Sequence, residues 1–135
     1  MRRFKSRPTR VVALSVGDQT ISYTVTAPDL FFASRFRSRL PLPGDEASDE
    51  EQTHWMDARV VIYAAEGLRS TEADIPTPPE TSDPAAWYDY ADRLGEMFQD
   101  AGFNSAMVNV IFEAFVALSS TLPEPTEAIE QVGNG

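Results

Sequence analysis

His54 is the only histidine of the chain. Glu50 stands four residues before it and Asp57 three residues after, so on a helix the three would share a face and offer ligands to a divalent metal. With twenty-one acidic residues in the chain, two beside a histidine are explained by composition. A nucleophilic serine would have to recruit the same His54, and no serine lies in a Gly-x-Ser-x-Gly setting. Asp89, Asp92 and Glu96 would also share a helix face, as the paired carboxylates of a hydrolase do. They point away from the apolar stripe running from Trp87 to Leu94, which makes them a solvated surface. The seven glycines are scattered or terminal, so no phosphate-cradling loop is present. The absence of cysteine removes disulfides, thiolate zinc sites and thiol nucleophiles together. The expectation is a non-enzyme without metal or cofactor.

Charge is a stronger signal than any motif. The net charge is −10 over 135 residues. Residues 1–39 hold eight basic side chains against Asp18 and Asp29, for +6, and residues 40–135 hold three against nineteen acids, for −16. Ten of the eleven cations are arginines, which can grip carboxylates or phosphates through two parallel hydrogen bonds. The simplest reading is mutual attraction of the two halves, with the surplus acid giving solubility. The sharper one is a bipolar surface that recognises a charged partner. Nucleic acid is not expected, since the acidic remainder would repel a polyanion.

The length suits one domain with its own core. No apolar run approaches the ~20 residues that span a bilayer, and the run Val11–Leu14 is too short for a signal peptide. A cytoplasmic protein is expected. Residues 1–10 read as a flexible basic arm. Val12, Leu14 and Val16 then alternate, Gly17-Asp18 punctuates, and Ile21, Tyr23 and Val25 alternate with hydroxyl residues, which predicts a half-buried β-hairpin. Thr26-Ala27-Pro28-Asp29 reads as a helix start with Thr26 as N-cap. The segment after it fits a helix with Phe32, Ala33, Phe36 and Leu40 on one side, or a strand with Arg35, Arg37 and Arg39 alternating. The start signal favours the helix.

Ser48-Asp49-Glu50-Glu51 supplies a capping box for a helix to about Glu66, with Gly67 just beyond it. A proline-rich connector occupies 70–84, long enough to suggest mobility or a role in binding. Asp83-Pro84 opens a helix whose Trp87, Tyr90, Ala91, Leu94, Met97, Phe98 and Ala101 share a face at ~100° per residue. Gly102 ends it and Asn104 caps the next. The expected fold is α+β: an N-terminal hairpin followed by about four helices, one domain over 11–121, with a flexible acidic tail over 122–135.

The last helix, about Ser105 to Ser120, carries an inward stripe of Val108, Ile111, Phe112, Phe115 and Leu118. Its other side is apolar too, through Met107, Val110, Ala114 and Ala117, and Glu113 is its only charge. A helix apolar nearly all round is either central or shared with a partner. Met107, Val110, Ala114 and Ala117 are therefore the candidate protein-binding residues, possible contacts of a client or of a second copy. A charge at Ala114 is expected to spare the fold and break the contact.

The hairpin Val11-Val12-Ala13-Leu14-Ser15-Val16 and Ile21-Ser22-Tyr23-Thr24-Val25 runs into Ala27-Pro28-Asp29-Leu30, then Leu40-Pro41-Leu42-Pro43. Helices follow, closing on Phe115-Val116-Ala117-Leu118-Ser119-Ser120 and an acidic tail. This order resembles the small tail assembly chaperones of long-tailed phages, encoded between the tail tube and tape measure proteins. The resemblance implies a non-catalytic protein of the host cytoplasm that keeps the tape measure protein soluble and recruits tail tube subunits to it, often alongside a longer frameshifted form. It assigns no residue a role. Rival readings are a virion component such as a head–tail joining protein, and an acidic nucleic-acid-mimicking inhibitor.

Overall fold

The structure, a computed structural model, describes residues 1–3 and 6–120. Two strands, β1 (Thr9–Val16) and β2 (Gln19–Thr26), precede four helices: α1 (Phe32–Arg39), α2 (Asp49–Leu68), α3 (Pro84–Asp100) and α4 (Ser105–Ser120). The fold is the expected α+β arrangement of hairpin and helices. The expected tail over 122–135 lies outside the described residues.

The hairpin forms because its turn and its alternation agree. Val16 pairs with Gln19 across the two-residue loop Gly17-Asp18. Gly17 takes φ +60° at the first loop position, which only glycine adopts cheaply and which matches the twist of paired strands. Val12, Leu14 and Val25 are buried on the inner face. The outer face carries the Val11–Thr24, Ala13–Ser22 and Ser15–Thr20 pairs, and a 2.8 Å hydroxyl hydrogen bond joins the last of them. Pairing extends further than the alternation indicated. Thr9 pairs with Thr26, and the Ala27 amide donates to the Pro8 carbonyl at 2.9 Å, so the strand begins inside the segment read as a free arm.

That extension also moves the first helix start. Thr26 is buried at the end of β2 and caps nothing. Asp29 does the local work instead: its Oδ1 accepts the Phe31 amide at 2.9 Å and its Oδ2 accepts Arg35 Nη2 at 2.6 Å. The other caps fall where the side chains placed them. Ser48 Oγ accepts the Glu51 amide, Asp83 Oδ1 the Ala85 amide, and Asn104 Oδ1 the Met107 amide. Gly102, at φ +88°, ends α3.

Helix α2 is central, touching β2, α3 and α4, and α4 in turn touches both strands. The core holds an aromatic cluster in which Phe32, Phe36, Phe112 and Phe115 surround Tyr63 at centroid distances of 5.0–5.7 Å. Arg59 lies 4.7 Å over the Tyr63 ring and 5.0 Å over that of Phe112, a cation–π closure of the outer side.

Gly67 is not the residue beyond α2 but lies inside it, fully enclosed. A Cβ there would come within 2.9 Å of Val25 Cγ1 and 3.0 Å of Phe115 Cδ1, so side chains of β2 and α4 close on its bare backbone. The contrast with Gly95 of α3, whose Cβ would meet nothing within 4 Å, makes a sharp test. Alanine at either site gains about 1 kcal/mol of helix propensity. At Gly67 that gain opposes an overpacking cost of about 1–3 kcal/mol. Gly95→Ala is expected to raise the unfolding free energy in urea titration, and Gly67→Ala to lower it.

Candidate protein-binding surface

The four residues singled out on α4 do not form one exposed face. Val110 is exposed, at 42% of its full surface, while Met107 and Ala117 are half-buried. Ala114 is only 5% exposed and belongs to the core, which overturns the expectation that it stands open in the isolated chain. The physical reason is tertiary packing. Because α4 packs on α2 and on both strands, its wide apolar circumference is shared between two neighbours of its own fold.

What remains open is the N-terminal half of that side. Met107 lines a cleft of about 260 Å³ with Leu14, Val16, Ile21, Tyr23 and Phe103, where the hairpin tip meets the corner between α3 and α4. Val16 and Ile21 are 59% and 43% exposed there. Val110 sits one turn along from Met107 on the same side of α4. Tyr23 and Phe103 form the cleft floor, their rings 5.4 Å apart. The arrangement offers apolar side chains from two elements, with a flexible methionine between them that can adapt to irregular contacts.

A second concavity, of about 290 Å³, was not legible in the sequence. It lies between α1, the C-terminal half of α2, the proline-rich connector and the start of α3, and it gathers Arg35, Arg39, Arg69, Pro78, Pro79 and Trp87. Its wall is fixed by a polar network. Arg69 donates to Glu66 Oε2 at 3.1 Å, to the Pro76 carbonyl at 2.9 Å and to the Tyr90 hydroxyl at 2.7 Å. The Tyr90 hydroxyl donates onward to the Pro76 carbonyl at 3.0 Å. Burial pushes the Tyr90 phenol above its usual range, with Arg69 beside it pulling the other way. At the other end the hydrogen bond from Arg35 holds the Asp29 carboxyl below the ordinary range. The connector, read as mobile or as a binding element, is pinned at Pro76, and again at Thr81, whose carbonyl accepts the Trp87 indole N–H at 2.6 Å.

Of the residues that suggested catalysis, His54, Asp57, Asp92 and Glu96 line a further concavity between α2 and α3, whereas Glu50 and Asp89 do not. The His54 ring lies 4.4 Å from that of Tyr88. Among the described residues no group of three histidines, aspartates or glutamates is placed to hold a metal ion. Asp89, Asp92 and Glu96 are exposed on α3. Among the described residues no single helix is long and apolar enough to cross a membrane. No family model, no curated protein and no solved structure matches the chain.

Proposed function

We propose that the protein is a non-catalytic chaperone of phage tail assembly, which acts in the host cytoplasm by holding an apolar helix of the tape measure protein and recruiting tail tube subunits to it. The observation that carries the binding part of this reading is the apolar cleft of Val16, Ile21 and Met107 between hairpin tip and α4, with Val110 exposed one turn further along the helix. An amphipathic client helix can lay its apolar stripe along such a surface. The net charge of −10 would keep the pair dispersed. The assignment to tail assembly comes from the order of elements along the chain.

Co-expression with a tape measure protein tests it. Wild type is expected to move the tape measure protein into the soluble fraction and to co-purify with it, yet to be missing from finished particles analysed by mass spectrometry. The double variant Met107→Glu, Val110→Glu is expected to lose the client while keeping its melting temperature within a few degrees, because neither side chain is fully buried. A fixed copy number in mature particles would replace this reading with that of a structural component. Client binding undiminished by the double variant would clear this surface of the role.

A further inference from the structure

The cleft between α1 and the connector has its own chemistry, separate from the apolar surface at the hairpin tip. Helix α1 carries Arg35, Arg37 and Arg39 and no acid, a cationic island in a chain of net charge −10. Arg35 is neutralised by Asp29 and Arg69 by Glu66. Arg39 is different. It is half-buried, its Nη1 donates to Ser38 Oγ at 2.9 Å, and among the described residues no carboxylate lies within ion-pair distance of it. A cation at the C-terminal turn of a helix is favoured by the dipole, which accounts for Arg37 equally well. It does not account for drawing Arg39 against a cleft wall, where part of its hydration is lost and the cleft's own carboxylate, Glu66, is already paired with Arg69.

Opposite the arginines stands an apolar wall. Trp87 and the Pro78-Pro79 pair are half-buried and line the same cleft. The indole N–H is already bonded to the Thr81 carbonyl, so the ring presents apolar surface. Trp87 is also held in a T-shaped contact with Tyr90, at 5.7 Å and 84°, which fixes the wall before any ligand arrives. Unpaired guanidinium on one side and rigid aromatic and proline surface on the other are complementary to a carboxylate next to an apolar side chain.

We propose that this cleft binds an acidic peptide segment of a partner protein, a glutamate or aspartate carboxylate pairing with Arg39 while a neighbouring apolar side chain lies against Trp87 and Pro78-Pro79. Arg39 can take the carboxylate through two parallel hydrogen bonds, which makes the contact directional and stronger than a point charge would give. The acidic faces elsewhere on the molecule oppose approach less at 0.15 M salt, where the Debye length is ~8 Å, and Glu66 within the cleft is neutralised by Arg69.

The test uses the full chain at 0.15 M salt and a fluorescein-labelled decapeptide of alternating glutamate and leucine. Binding is read by anisotropy, and separately by tryptophan emission with unlabelled peptide. The expected result is saturable binding that moves tryptophan emission, with the emission change lost in Trp87→Phe. Arg39→Glu is expected to weaken binding by at least about tenfold, the scale of one charge-assisted hydrogen bond, while the cooperative melt is kept with only the small loss that an anion at a helix C-terminus brings. Arg39→Lys should fall between the two, retaining charge but not the bidentate geometry. The glutamine–leucine counterpart of the peptide should not bind. Absence of binding by the glutamate peptide overturns the proposal, as does equal binding of the glutamine peptide. Binding of a single-stranded oligonucleotide in place of the peptide, lost in Arg39→Glu, would overturn it too and assign the cleft to phosphate. None of these outcomes depends on the client at the hairpin tip, so either site can fail without the other.

Discussion

Ala114→Glu is expected to abolish cooperative folding. Ala114 is 5% exposed, and the helix that carries it is packed on α2 and on both strands. A glutamate there must bury its carboxylate, distort the packing to reach water, or take up a proton. Each costs several kcal/mol, against a total stability on the order of 10 kcal/mol for a domain of this size. Circular dichroism should show loss of the melting transition, or a midpoint depressed by well over ten degrees. Val110→Glu, one turn earlier and exposed, is the control and should melt close to wild type. An unchanged melt for Ala114→Glu would mean that this side of α4 is open after all.

Phe115→Ala is expected to cost about 3–5 kcal/mol, the range for emptying a buried aromatic site. Phe115 is 1% exposed and packs edge-on against Phe32 at 5.4 Å and Tyr63 at 5.7 Å. Its ring also closes on the bare backbone of Gly67, so the void would open where α2, α4 and the strand meet. The midpoint of urea unfolding should fall with little change in slope. Phe115→Leu fills most of the same space and should cost less. Because Gly67 and Phe115 are in contact, their substitutions should not add. The penalty of Gly67→Ala is expected to shrink in a Phe115→Leu background, where the ring that a new methyl would strike is gone. Strict additivity would show that Val25, not Phe115, sets the limit at that position.

The two experiments probe features that differ in how far they could be read beforehand. Local chemistry was legible. Gly17-Asp18 turns the hairpin and Ser48, Asp83 and Asn104 cap their helices because each effect acts between residues a few positions apart. Where a long-range contact competed with a local signal, the contact won. Thr26 has a good capping side chain, but its backbone is committed to pairing with Thr9, and Asp29 anchors the next turn in its place. Gly67 has the marks of a helix stop, yet α2 runs on to Leu68, and the glycine is there because Val25 and Phe115 leave no room for a side chain.

The sites divide along the same line. From its sequence, α4 could be recognised as apolar on nearly every side, and the first third of the chain as rich in arginine. Both are properties of composition and period, which follow from the order of residues alone. Which side of α4 stays open was decided by its packing on α2 and on two strands about a hundred residues before it, which leaves Ala114 buried and Val110 exposed. The arginine cleft likewise exists only in three dimensions. Arg39, Pro78 and Trp87 belong to three separate segments with no shared period, and they line one concavity because Arg69 and Tyr90 hold the connector at Pro76. Charge, caps and periodicity are written residue by residue, whereas exposure is a relation between segments, fixed only when the chain has packed.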